Sequence, residues 1–576
     1  MDYTIKIGGE AGQGIQTIGE TLGKVFARSG LHVFTNQDYE SRVRGGHNFY
    51  QIRLSDRPVM APKEAVDILV ALDKESIRLH KHTLTQRGQI VYDADTLKER
   101  HDAVDFFDIP FVKLATERGG DKIMANTVAT GAVLGMLGLD LDALIKIISE
   151  TFRKKGEKVI TANTNAALAG YDHAVKGCLK CNFSVAGSGT AEAHMLVGGS
   201  EAIALGALAS GVKFYAAYPM TPSTGIMNYL AENEKDHGLV VEQAEDEIAA
   251  VNMALGASFA GVRAMTGTSG GGFALMVEGV SLAAMTETPI VFAMGQRPGP
   301  ATGFPTRTEQ SELHMVLHAG HGEFPRFIFA PGSPEQAFFL TNKAFDLSEK
   351  YQVPAFILFD THLSDSQFTY RGFDLARIRT TDYRLRGEAF KALAEYKRHA
   401  YTDSGVSPLA VPGDARHLVV TDSDEHDEDG HITEDAEIRV NMMEKRLFKK
   451  LPHMQDEVAP PFLYGAHDPD IVIAGWGSLY GVLREAVDAL AEKYGIAMLH
   501  FSELIPFPGT EKFDYLRLLK KAHLTICVEQ NATGQLARLM RTETGFEFGA
   551  LLNKYDGRPF TVESLIENLR GLIKKQ

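Results

Sequence analysis

Three segments of the sequence concentrate side chains that do chemistry. The first is Tyr218-Pro219-Met220-Thr221-Pro222-Ser223, which follows the apolar run 214–217. Prolines on both sides of Met220-Thr221 restrict the backbone, so the Thr221 hydroxyl is expected on a rigid loop. If the apolar run is a strand of a parallel sheet, that loop leaves its carboxyl end, where open α/β sheets bind ligands. The second segment is Val241-Glu-Gln-Ala-Glu245-Asp246-Glu247, followed by a small-residue, almost uniformly apolar stretch over 248–258. Three carboxylates suit a helix N-terminus, and a solvated first turn is the plain alternative. Glu247 stands closest to the apolar stretch and is the acid expected to be buried, where it is suited to trade a proton or hold a strong hydrogen bond. The third is Met265-Thr-Gly-Thr268-Ser269-Gly270-Gly-Gly272, a strand-to-helix turn richer in glycine than packing alone requires.

Such segments need a sheet and helices to position them. Residues 3–7 read as a strand, 8–14 as a glycine turn and 15–29 as a helix, with further strands expected at 32–35, 49–53 and 65–71. A second strand-turn-helix start falls at 195–210, and strands at 214–217, 262–265, 289–294 and 355–359 continue the alternation. A third opens at 470–477. This alternation specifies an α/β fold with mainly parallel sheets, in three α/β domains over 1–175, 195–395 and 466–576. Residues 176–194 read as a linker, and 396–465, where hydrophobic periodicity fades, as an extended connection. The turns at 9–14 and 475–481 miss the dinucleotide fingerprint and no P-loop occurs, so tight packing is the better reading of each turn alone.

Composition narrows the class. With 576 residues, three or four domains are expected at about 150 residues each. The 59 Lys+Arg against 74 Asp+Glu leave a formal charge of −15, which disfavours nucleic acid and anionic membranes as partners. No uncharged apolar run reaches the roughly 18 residues of a membrane span, and a cytoplasmic protein is expected. The three cysteines cannot supply the four thiolates an iron–sulfur cluster ordinarily takes, so any cluster belongs to a partner. Cys178 and Cys181 form a lone CxxC with no second pair and read as unmodified thiols. The acidic stretch 422–431, with His426 and His431, reads as a solvated loop, and no metal site is expected on this chain.

Glu247-x-x-Ala250 with Gly256 resembles the pyrimidine-binding half of thiamine diphosphate enzymes. Tyr218-Pro-Met-Thr-Pro222, the glycine-rich turn at 265–272 and Gly295-Gln-Arg297-Pro-Gly-Pro300 resemble the 2-oxoacid:ferredoxin oxidoreductases. Gly8-Gly-Glu-Ala-Gly-Gln-Gly14 and Tyr39-Glu-Ser-Arg42-Val-Arg44-Gly-Gly46 are similar to that family's gamma domain, here fused ahead of the alpha chain. Glu503-Leu-Ile-Pro-Phe-Pro508 and Val528-Glu-Gln-Asn-Ala-Thr-Gly-Gln535 resemble its transketolase C-terminal-like domain. The likeness covers nearly the whole chain and is strongest for alpha subunits assigned to 2-oxoglutarate.

The resemblance implies a gamma domain, a pyrimidine-binding domain and a transketolase C-terminal-like domain at the three positions above. It implies that Glu247 is the catalytic acid bonded to the aminopyrimidine, with Glu245 as the fallback. Tyr218, Pro219, Thr268, Ser269 and Gly270 would then meet the cofactor, and Thr221, Arg297 and Thr306 the substrate. Arg42 and Arg44 would meet coenzyme A phosphates, with an ion pair as the alternative. The Gly-Asp-Gly and Asn-Asn strings that hold the diphosphate and Mg2+ are missing. A beta subunit is therefore expected to bring the diphosphate site, Mg2+ and a 4Fe–4S cluster, with coenzyme A as co-substrate, ferredoxin as electron acceptor and a dimer of alpha-beta heterodimers as the assembly. The implied reaction is oxidative decarboxylation of 2-oxoglutarate, or its reversal. Pyruvate or a broad 2-oxoacid range, a transketolase-like enzyme without redox chemistry, and a non-catalytic nucleotide-binding scaffold are the competing readings.

Overall fold

The run of residues 3–7 forms the first half of a longer strand, Asp2–Ala11, in which Ile5 and Ile7 enter the core and Thr4 and Lys6 lie on the opposite face. Gly8 and Gly9 stay in the ladder, so the turn that follows is shorter than expected. Its Gly12 and Gly14 adopt φ of 94° and 81°, a left-handed backbone that glycine tolerates best. The helix Ile15–Arg28 then buries Ile15, Ile18, Leu22, Val25 and Phe26. In this computed structural model the described residues are all except 43–44, 179–180, 182, 184, 186–193 and 576. They form two compact units: Met1–Val197 with Ser366–Phe373 and Thr561–Ser564, and Gly198–Asp365 with Asp374–Phe560 and Leu565–Gln576.

The first unit is built on an eight-stranded sheet, in the order Phe106–Asp108, Leu84–Tyr92, Val66–Ala71, Asp2–Ala11, Gly45–Ser55, His32–Asp38, Gln367–Tyr370, Met195–Gly198. It is mixed where a mainly parallel sheet was expected. Gly45–Ser55 runs antiparallel to both neighbours, because the short connection 39–44 permits a hairpin but no crossover helix. The helix Glu157–Gly177 runs into the expected linker, most of which lies outside the described residues, Gly187 and Gly189 included. Cys178 and Cys181 are joined as a disulfide, with Cα atoms 5.5 Å apart, in place of the unmodified thiols expected.

The second unit holds a seven-stranded sheet in the order Glu503–Ile505, Phe327–Phe329, Pro354–Asp360, Ile290–Gln296, Arg263–Ser269, Val212–Ala217, Val240–Gln243. All strands but the first are parallel. A five-stranded sheet, Phe462–Gly465, Ile496–Phe501, Ile471–Trp476, Leu524–Glu529, Ala550–Asn553, completes the unit. The glycine-rich segment 265–272 divides in two: residues through Ser269 pair with Ile290–Gln296, and a helix, Gly270–Met285, starts at the next residue. Phe273 of that helix packs on Phe292 and Phe356 of the sheet, with ring centroids 6.2 and 5.7 Å away.

The supposed extended connection contains helices, Ala436–Met443 and Lys450–Glu457, joined by a wider turn over Glu444–Lys449. Their buried residues are Lys445, Arg446 and Lys450 with Met442 and Met454, so no apolar stripe betrays them in the sequence. The acidic stretch is solvated only in part: His426 is buried, and Glu425 accepts both a hydrogen bond from Arg446 at 2.7 Å and one from Arg439. Among the described residues no helix is long and apolar enough to cross a membrane.

Candidate functional site

In the second unit, the carboxyl ends of neighbouring parallel strands carry most of the residues singled out in the sequence. Asp246 caps the helix Glu247–Phe259, its carboxylate accepting from the Ala249 N–H at 2.8 Å. Glu247 is the first helical residue and only 6% exposed, and its carboxylate has no hydrogen-bond partner among the described residues. Gly272 makes room for it: a β-carbon at that position would lie 2.4 Å from Glu247 Oε1 and 2.2 Å from Thr268 Oγ1. Gly272→Ala is therefore expected to push one of the two side chains aside and cost on the order of 10²-fold in turnover, with the melting temperature little changed. Steady-state rates and a thermal melt check this.

Ser269 is fully buried and its hydroxyl has no partner among the described residues, while the Thr268 hydroxyl donates weakly to the Ser269 carbonyl at 3.3 Å. Unpartnered buried oxygens are costly, and here a buried hydroxyl and a buried carboxylate flank the start of one helix. They fit a ligand with polar edges. Glu245 is exposed and stands outside this niche. Tyr218 is exposed and Pro219 half-buried, just beyond the strand Val212–Ala217.

Arg297 and Thr221 meet directly. Arg297 Nη1 donates to the Thr221 carbonyl at 2.8 Å, across a cis Thr221–Pro222 peptide. Pro222 lies against Gly295, where a β-carbon would come within 2.8 Å of the proline ring. Arg297 as a residue is 7% exposed, and its guanidinium makes no salt bridge among the described residues. Burial lowers its pKa from the ordinary value, opposed by Glu312. Thr306 is half-buried on the following loop, 298–312. That loop is held by Gln310, whose N–H donates to the Gln530 carbonyl at 2.7 Å and whose Nε2 donates to the Trp476 carbonyl at 2.9 Å.

Glu312 has no role in the sequence reading and stands at the centre of the observed site. Its carboxyl accepts from the Arg297 backbone N–H, and its own N–H donates to Gln296 Oε1 at 3.3 Å. A β-carbon at Gly270 would fall 1.7 Å from Glu312 Oε1, so the glycine is required by this close approach. Oε2 is shut off from solvent and unpartnered, and burial pushes the group up to about 8 against the pull of Arg297. Asp360, at the end of the strand Pro354–Asp360, is raised by burial to about 6, although Ser478, the Leu363 N–H and Thr308 oppose the rise. Nothing in the polar run 306–312 distinguishes Glu312 from an exposed loop acid.

Arg42 belongs to the first unit, where it is exposed and pairs with Glu40 at 3.0 Å; Arg44 lies outside the described residues. Among the described residues no cluster of three or more His, Cys, Asp or Glu is arranged to hold a metal. The helix Glu247–Phe259, apolar on nearly every side in the sequence, buries only one face. Ile248 (50% exposed) and Met253 face outward, as does Leu275 of the neighbouring helix. With Asn252, Glu278 and Phe324 two of these, Ile248 and Leu275, border a groove of about 660 Å3.

Fold and site together define an α/β protein with a polar niche at the carboxyl ends of a parallel sheet. Residues 4–173 match the family described as "Pyruvate ferredoxin/flavodoxin oxidoreductase", and residues 205–445 the one described as "Pyruvate flavodoxin/ferredoxin oxidoreductase, thiamine diP-bdg". The 2-oxoacid:ferredoxin oxidoreductase subunit alpha of Sulfolobus sp is 31% identical, with 99% of this chain and 96% of that one covered. The 2-oxoglutarate oxidoreductase subunit KorA of Mycobacterium tuberculosis is 25% identical, with 94% and 87% covered. The solved 2-oxoglutarate:ferredoxin oxidoreductase from Magnetococcus marinus, with 2-oxoglutarate, coenzyme A and succinyl-CoA bound, superposes with a TM-score of 0.91 at 31% identity over 99% of both chains. The chain belongs to the 2-oxoacid:ferredoxin oxidoreductase family, as an alpha subunit.

Proposed function

We propose that this chain is the alpha subunit of a thiamine diphosphate-dependent 2-oxoglutarate:ferredoxin oxidoreductase, working with coenzyme A in oxidative decarboxylation or the reverse carboxylation. The observation that carries the reading is a buried Arg297 with no salt-bridge partner among the described residues, anchored to Thr221 in the unit that also holds the Glu247 carboxylate, itself unpartnered among those residues. A buried cation without a carboxylate partner is suited to an anionic ligand. The Magnetococcus marinus structure, solved with 2-oxoglutarate bound, supports that substrate for this chain.

Thiamine diphosphate, when bound, supplies an electron sink for carbon–carbon cleavage next to a ketone. Glu247 would hold or move a proton at its carboxylate, facing the aminopyrimidine. Thr268, Ser269 and Gly270 would meet the cofactor from the strand end, and Tyr218 and Pro219 from the loop. Arg297 and Thr221 would orient the substrate carboxylate, with Thr306 on the same side, and Arg42 and Arg44 would meet coenzyme A phosphates.

A beta subunit carrying the diphosphate site, Mg2+ and a 4Fe–4S cluster, ferredoxin as acceptor, a dimer of alpha-beta heterodimers and a cytoplasmic setting belong to the same reading. The missing Gly-Asp-Gly and Asn-Asn strings support the partner. So does the outward apolar face at Ile248, Met253 and Leu275, beside Glu247, since such patches mark interaction surfaces. The division into a gamma domain at 1–175, a pyrimidine-binding domain at 195–395 and a transketolase C-terminal-like domain at 466–576 is proposed with it.

The test is the co-purified complex, assayed for reduction of ferredoxin or viologen with 2-oxoacid and coenzyme A. It is expected to be brown, to prefer 2-oxoglutarate by kcat/KM, and to lose activity when this chain is isolated. Arg297→Lys is expected to raise the 2-oxoacid KM on the order of 10-fold to 100-fold, because an ammonium cannot reproduce the planar donor fork. A higher kcat/KM for pyruvate would move the substrate assignment. A colourless complex inert to every 2-oxoacid would sink the reading.

A further inference from the structure

Glu312 and Arg297 are tied together by the Glu312 carboxyl accepting the Arg297 backbone N–H, and yet form no salt bridge. Val316 N–H bonds the Glu312 carbonyl at 3.0 Å, Glu312 N–H bonds Gln296 Oε1, and the Glu312 carboxyl takes the Arg297 backbone N–H. Held at these points, the carboxyl presses its Oε1 against Gly270, and its Oε2 is shut off from solvent with no donor among the described residues. The Arg297 side chain spends Nη1 on the Thr221 carbonyl. A guanidinium has five donor hydrogens, so most of its fork remains available to an anion.

We infer that Glu312 is a positioning residue that controls, through its own charge, how firmly Arg297 takes the carboxylate of an anionic substrate. Uncharged, Glu312 leaves the guanidinium's field to the incoming carboxylate. Ionised, it competes for the same positive charge and repels the substrate. Burial makes the uncharged form the ordinary one at neutral pH, since the group is raised to about 8. The charged groups acting on it are Arg297, beyond the strand Ile290–Gln296, and Glu309 on its own loop, which pushes in the same direction as burial. The helix Gly270–Met285 brings the uncharged Gly270 against it, and the helix Gln535–Thr544 offers the uncharged Gln535, bonded to the His314 N–H at 3.0 Å. The inference rests on the reading of Arg297 as the substrate carboxylate site.

The experiment uses the assembled complex, with 2-oxoglutarate KM and kcat measured from about pH 6.5 to about pH 9.5. In the parent the KM is expected to rise roughly tenfold between about pH 7 and about pH 9, with kcat changing much less. Glu312→Gln, neutral and of the same shape, is expected to flatten that rise. A flat parent profile, or an equal rise in Glu312→Gln, overturns the inference. If the variant does not assemble, calorimetric binding of oxalate to the parent complex serves instead: weakening above about pH 8 supports the inference and constant affinity overturns it. Arg297→Lys separates the two levels. If it leaves KM unchanged, the carboxylate-site reading itself fails. If it raises KM while parent and Glu312→Gln share one pH profile, only the role of Glu312 fails.

Discussion

Glu247→Gln is expected to lower 2-oxoacid oxidation by the assembled enzyme about 10²-fold to 10⁴-fold, the usual contribution of a positioned acid–base group, while assembly and melting stay as in the parent. The glutamine has the same shape, so it occupies the niche opposite Gly272 without a new contact. The cap that holds the helix is made by Asp246 to the Ala249 N–H and does not involve residue 247. No protein hydrogen bond to the Glu247 carboxylate is lost, since none is made among the described residues. What changes is only the capacity to hold and release a proton. Glu247→Asp is expected to fall between parent and Glu247→Gln, because its carboxylate is drawn back by one methylene. Viologen reduction, a thermal melt and gel filtration of each complex check the three statements. A parent-like rate in Glu247→Gln would remove this residue from the chemistry and leave the fold assignment standing.

Much of the sheet was legible because its strands are apolar on both faces, as buried parallel strands are. Ile290–Gln296 and Pro354–Asp360 were expected to within two residues on that basis. Arg263–Ser269 was expected too short, since Thr266, Thr268 and Ser269 continue the ladder through main-chain pairing that hydropathy does not register. Strand direction in the first unit was equally hidden: alternation announces a strand, and only the connection at 39–44 makes Gly45–Ser55 antiparallel. In the site, Thr221 was marked by its prolines and Arg297 by the motif after an apolar strand. Glu312 was not, because the place of its carboxyl follows from the missing side chain at Gly270, far away in sequence.

The helices hidden in 396–465 lead to the second large effect. Glu287→Gln is expected to destabilise the second unit by about 3–5 kcal/mol, the cost of stranding a buried charge, and to lower its thermal midpoint by several degrees. Glu287 is 1% exposed, with φ of 51°, just past the end of the helix Gly270–Met285. Its Oε1 accepts from Lys445 at 2.6 Å, its Oε2 accepts from Lys450, and His399 Nδ1 lies 3.2 Å from Oε1. Its backbone carbonyl takes Arg398 Nη2 at 2.7 Å. Burial alone would raise the acid, but Lys445 and Lys450 hold it well below the usual carboxylate range. A glutamine leaves both ammoniums in the interior without a counter-charge. Combining Glu287→Leu with Lys445→Met and Lys450→Met should recover most of the loss, because an apolar replacement of a whole buried ion group is often neutral or better. The pH dependence has a definite sign. A depressed carboxylate contributes stability above its ordinary value of 4.5 and loses it as pH falls toward the lowered one. The gap between parent and Glu287→Gln should therefore be widest near neutrality and begin to close below about pH 4.5. A gap that stays constant into acid, or a triple variant as unstable as Glu287→Gln, would mean that packing and not charge fastens the helix Gly270–Met285, whose first residues shape the niche of Glu247 and Glu312.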